Sequence, residues 1–101
     1  MSQHPLTPAQ AERLAFLAEE CAEVIQAVTK IQRHGFDSYN PDAPQKGDNR
    51  HQLEVELGDL TAAMGLCNDG GDVDAAHVRT HKLAKRAKMG RYFHHQQEIL
   101  L

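Results

Sequence analysis

Two groups of carboxylates are the residues in this chain best placed to do chemistry. Glu19-Glu20-Cys21-Ala22-Glu23 and Glu56-Leu57-Gly58-Asp59 each set acids three residues apart. On a helix that step returns a side chain to nearly the same face. Counting 100° per residue from Glu20, Glu23 falls at about 300°, while Leu17, Cys21, Val24 and Val28 fall at about 40° to 100°. From Glu56, Asp59 again falls at about 300° and Leu57, Leu60 and Met64 at about 40° to 100°. Both segments thus place an acid pair on the same edge of an apolar stripe.

If the two stripes pack together, four carboxylates converge at a half-buried seam. Like charges there raise one another's pKa unless a cation lies between them. All-oxygen ligation selects hard Mg²⁺ or Mn²⁺ over zinc, and Mg²⁺ held by carboxylates completes its shell with water and substrate phosphates. The substrate implied is a phosphate ester. A lone Glu-x-x-Glu is weak evidence, since glutamate favours helices and most acid pairs are solvated. Two with matched placement weigh more, whereas Glu54, about 160° from Glu56, fits a solvated face.

The elements that position these acids are helical. Thr7-Pro8-Ala9-Gln10 reads as an N-cap, a first-turn proline and a capping-box partner, and His34-Gly35 as a stop. The spacing predicts a first helix from Pro8 to His34, roughly 40 Å long. Residues 36–48 read as a long loop, in which Phe36 and Tyr39 either stack on a base or pin the loop to the helices. A second helix runs from Asn49 or Arg50 to Cys67, with apolar residues on two sides. Asn68-Asp69-Gly70-Gly71 breaks it, and a third follows from about Asp72 to Met89 with a thin stripe of Val73, Ala76, Thr80, Leu83, Ala84 and Ala87. The fold class is an all-α bundle of about three main helices in a single domain, with a core of about residues 8–90 and a tail at 91–101. A helix of that length, and a second helix with two apolar sides, imply completion by further copies, as a homodimer or homotetramer.

Composition narrows the class. With 101 residues, 41% of them apolar, the chain holds one ordinary core. It has no apolar run of membrane-spanning length, and Met1-Ser2-Gln3-His4-Pro5 lacks the order of a signal peptide, so a cytoplasmic location is expected. Cys21 and Cys67 form no C-x-x-C and read as reduced core thiols. The net charge of −3 argues against a dedicated nucleic-acid binder. It hides a segregation, for residues 75–97 contain Arg79, Lys82, Lys85, Arg86, Lys88 and Arg91 and no Asp or Glu.

The acid pairs resemble the signature of the MazG-like all-α nucleoside triphosphate pyrophosphohydrolases, a Glu-Glu-x-x-Glu helix followed by a Glu-x-x-Asp helix. The wording from Leu17 to Ala27, from Asn49 to Leu60, and of the tail from Lys88 to Gln96 is similar to the small single-domain phage and bacterial members. The likeness covers roughly residues 14–96. It implies hydrolysis of an NTP or dNTP between the α- and β-phosphates, giving a monophosphate and pyrophosphate. Glu20, Glu23, Glu56 and Asp59 match the family's metal ligands, for two or more Mg²⁺ or Mn²⁺ ions per site. Glu19 matches the motif's first glutamate, placed to hold a further metal or orient the attacking water, so that Glu19 and Glu20 are the catalytic candidates. Small relatives of this kind often act on purine dNTPs, which makes dGTP the expected substrate.

Lys30 lies on the line of Glu23 two turns further along, about 10 Å away, and is a candidate substrate contact. Lys82 and Lys85 are the first candidates among the basic residues of the third helix, across a subunit boundary if needed. His77 and His81 stand at the spacing of a helical zinc pair, yet without the supporting glutamate they read as surface histidines. A carboxylate-bridged di-iron bundle is disfavoured, because no glutamate is followed three residues later by histidine. The rival reading is a non-catalytic, antitoxin-like module whose basic third helix binds nucleotide or nucleic acid, which leaves the matched acid pairs without a role.

Overall fold

The first long helix begins where its cap chemistry demands. In the computed structural model, which describes residues 5–100, α1 spans Pro8–His34. The Thr7 hydroxyl accepts from the Gln10 amide, and the Gln10 side chain accepts from the Thr7 amide. The helix ends at Gly35, whose φ of 87° is open to glycine and strained for other residues. The N-terminal residues Met1 to His4 read above for a signal peptide, and Leu101 at the end of the expected tail, lie outside the described residues.

The connection from Gly35 to Asp48 is tied at both ends. Asn49 and Arg50 donate their amides to the Ser38 and Phe36 carbonyls, and Tyr39 and Asp48 form an isolated antiparallel bridge. A 3₁₀ turn, Pro44–Lys46, lies within it. Asn49 is buried and donates its side-chain amide to the Gly35 carbonyl, so it anchors the end of α1 as well as opening the next helix.

Helix α2 spans Asn49–Asp69, capped by Asp48 through the His51 amide. It runs two residues beyond the expected end because Asn68 and Asp69 remain helical and Gly70 takes the cap. Gly71, at φ 82°, then turns the chain. Helix α3 spans Ala75–Met89, and α4 is the short segment Gln97–Leu100. The third helix starts later than expected: Asp74 caps it through the Ala76 amide, and the Asn68 side chain accepts from the Ala75 amide across the turn.

The described elements are all helical, and α1 packs along α2 while α3 barely touches either. The radius of gyration is 17.4 Å, against about 13 Å for a compact chain of this length. Arg13 of α1 fixes the departure of α3 by pairing with Asp72 through two hydrogen bonds of 2.6 and 2.8 Å.

The seam between α1 and α2 differs from the one expected. Its buried residues are Glu20 and Ala27 on α1 and Asn49, Ala63 and Cys67 on α2. Cys21 and Val28 on α1 and Leu57 and Met64 on α2, expected to be interior, are exposed, so only Cys67 is a core thiol. From Glu20, Ala27 falls at about 340°, and from Glu56, Ala63 falls at about 340° and Cys67 at about 20°. The contact line has rotated toward the acids, because the small alanines let the helices approach there. The stripe of α3 is exposed throughout, with Leu83 53% accessible.

Candidate metal centre

The rotation of the seam brings the four acids together. Glu20 and Glu23 enter from α1 and Glu56 and Asp59 from α2, and one oxygen of each lies within 4.8 Å of the others. Glu20 is buried, Glu56 is half-buried, and Glu23 and Asp59 face solvent at the edge. One oxygen of Glu20 and one of Glu56 are sealed from solvent without a hydrogen-bond partner. Buried polar atoms of this kind are costly unless something satisfies them.

Electrostatics point the same way. Burial raises the pKa of Glu20, and the charges of Glu23, Asp59 and Glu19 raise it further. Glu56 is raised first by the closeness of the Glu23 carboxyl, which favours a proton between them, then by burial and by the charges of Glu23, Asp59 and Glu20. The described ion pairs, Arg13–Asp72 and Arg50–Asp37, include none of the four acids. Four carboxylate oxygens, two of them orphaned and all repelling one another, fit a hard divalent cation.

Glu19 is exposed beside this cluster and outside the group of four. Lys30 borders a cleft of about 240 Å³ that also touches Glu23, Glu56 and Gln52. A second cleft of about 390 Å³ continues from Lys30 and Gln52 to Arg33, Tyr39 and Lys46 under the loop. A third, of about 480 Å³, lies between Lys46, His51 and Glu56. Lys82 and Lys85 are exposed on α3 and border none of these three; the Lys85 ammonium lies 5.9 Å from the centre of the Tyr92 ring. Among the described residues His77 and His81 join no group of three potential ligands.

A family model, the MazG nucleotide pyrophosphohydrolase domain, matches residues 9–90. The chain belongs to this family. The MazG assignment makes it a nucleoside triphosphate pyrophosphohydrolase by class and agrees with the all-helical fold. No individual curated protein and no solved structure matches the chain. Among the described residues, no helix is long and apolar enough to cross a membrane.

Gln52, Arg33, His34 and Lys46 border these clefts, and the sequence does not single them out as site residues. For two of them a signal existed: His34 falls at about 320° from Glu20 and Gln52 at about 320° from Glu56, on the acid edge of each helix. Lys46 lies in the loop, which has no period to read, and Arg33, on α1 at about 220° from Glu20, meets it only because the loop folds back there.

Proposed function

We propose that the chain hydrolyses deoxynucleoside triphosphates between the α- and β-phosphates, with dGTP the preferred substrate, using Mg²⁺ or Mn²⁺ at the four-acid cluster. The observation that carries this is the pair of orphaned oxygens on Glu20 and Glu56 within a group of four converging carboxylates. Glu20, Glu23, Glu56 and Asp59 would hold two or more ions. Bound there, divalent cations neutralise phosphate charge and acidify the attacking water.

The chain's own residues do the rest. Glu19, exposed next to Glu20, orients the water toward the α-phosphorus. The new P–O bond forms as the bond to the αβ-bridging oxygen breaks, and pyrophosphate leaves with the electron pair. Lys30, in the cleft beside Glu23 and Glu56, holds the nucleotide. Lys82 and Lys85 bind phosphate from the α3 of a second copy, since in one chain they lie outside the clefts around the acids.

A homodimer or homotetramer fits the surface left open. Val28, Leu57, Met64, Leu66 and Val78 are all exposed, and Leu17, Met64, Val73 and Val78 border an apolar groove of about 400 Å³. A second copy covers this surface and completes the bundle. The unit is read as one domain with its core at about residues 8–90 and the remainder as a tail, working in the cytoplasm.

The test is incubation with each NTP and dNTP and either metal, with products resolved by ³¹P NMR beside a Glu20→Gln control. Pyrophosphate and one monophosphate, absent in the control, support the assignment. Turnover by a Glu20→Gln, Asp59→Asn double variant overturns it.

A further inference from the structure

We propose that the cleft under the α1–α2 loop seats the nucleotide's base and selects bases that present carbonyl oxygens, guanine foremost; this rests on the nucleotide hydrolysis proposed above. The cleft shares Lys30 and Gln52 with the one beside the acids, so the two adjoin across these side chains. Lys30 lies two helical turns, about 10 Å, beyond Glu23, which leaves room for a sugar between the phosphates and this end. Tyr39 borders the cleft with its side chain more than half exposed. The aromatic face of Tyr39 is a stacking platform for a base.

The polar lining decides which base. Lys30, Arg33 and Lys46 can only donate hydrogen bonds, and none makes an ion pair among the described residues. No carboxylate borders the cleft, so the pairing of cytosine's exocyclic amine with an acidic side chain is not offered there. The amides are each committed at one end. Asn40 Oδ1 accepts from the Asp42 amide, Asn49 Nδ2 donates to the Gly35 carbonyl, and Gln52 Nε2 donates to the Gly47 carbonyl. The two-pronged amide contact that recognises adenine is thereby disfavoured. Guanine offers O6 and N7 to Arg33 or a lysine, the commonest specific pairing of these side chains, and Gln52 Oε1 is left to accept from its ring N–H.

Binding isolates this inference from catalysis. Affinities of dGMP, dAMP and inorganic pyrophosphate are measured by calorimetry in Mg²⁺ for the natural chain, Arg33→Ala, Lys46→Ala and Glu20→Gln. Arg33 and Lys46 are exposed, so their removal spares the fold. The natural chain should bind dGMP over dAMP, and Arg33→Ala should lose roughly tenfold or more of that preference. Glu20→Gln should keep the preference while losing turnover. Equal loss of dGMP and dAMP, or a loss confined to pyrophosphate, overturns the base assignment, the latter by showing that the cleft holds the phosphate end. A chain that prefers dGMP but hydrolyses no triphosphate would overturn the hydrolysis and leave the base site standing. A hydrolase without base preference would do the reverse.

Discussion

Glu20 and Glu56 face each other across the α1–α2 seam, each with one carboxylate oxygen buried and unpartnered. Removing one of these charges has opposite effects on activity and on the metal-free fold. Glu20→Gln is expected to abolish turnover, by two orders of magnitude or more, while raising the melting temperature in EDTA. Calorimetric melting and the ³¹P assay on the same preparation check both halves.

Divalent cation should stabilise the fold it binds. At about 100 times its dissociation constant the gain is roughly 2.7 kcal/mol, and EDTA reverses it. Melting curves across a Mn²⁺ titration measure this, and Asp59→Asn should flatten the response.

The pH dependence of the metal-free protein follows from the raised carboxyls. The folded state holds protons on Glu20 and Glu56 more tightly than the unfolded chain does, so stability falls as pH rises above the ordinary glutamate value of 4.5 toward their raised values. Asp72 acts with the opposite sign. Its hydrogen bonds to Arg13 hold its pKa below 3.8, so its contribution is lost only as pH falls through that lowered value. Chemical denaturation in EDTA between pH 4 and 8, roughly spanning the carboxylate range, should therefore show declining stability. Saturating Mn²⁺ should remove the decline.

Ala63 is fully buried in the seam between α1 and α2. Ala63→Leu forces the helices apart, at about 1–3 kcal/mol, and separates the two halves of the acid cluster. Urea unfolding and Mn²⁺ binding should report both losses together.

Arg13 holds Asp72 by a two-pronged pair, and a Cβ added at Gly70 would clash with the Arg13 guanidinium. Arg13→Ala and Gly70→Ala should both release α3 from its fixed departure. Faster amide exchange at the start of α3, with α1 and the far end of α2 unchanged, is the expected signature.

Much of the fold was legible because caps and helical periodicity are local. Thr7, Pro8 and Gln10 give the start of α1, Gly35 gives its end, and the acid pairs declare their shared edge without any long-range contact. The start of α3 was misplaced because the link from the Asn68 side chain to the Ala75 amide spans the turn and leaves no periodic trace. The contact line of the seam departs from expectation for a related reason. An apolar arc shows which side of a helix avoids water and leaves open which line within that arc makes contact.

Local chemistry sets the three long helices, the cap of α1 and the matching of Glu20 and Glu23 with Glu56 and Asp59, since each depends on neighbours within a turn or two. Folding in three dimensions sets the rest: that Ala27 and Ala63 mark the seam, that Glu20 is buried in it, and that Arg33, Tyr39 and Lys46 meet at one cleft. Helix packing selects the line where backbones approach most closely, and loop closure joins residues far apart in the chain. Both depend on three-dimensional fit, which no one-dimensional pattern encodes.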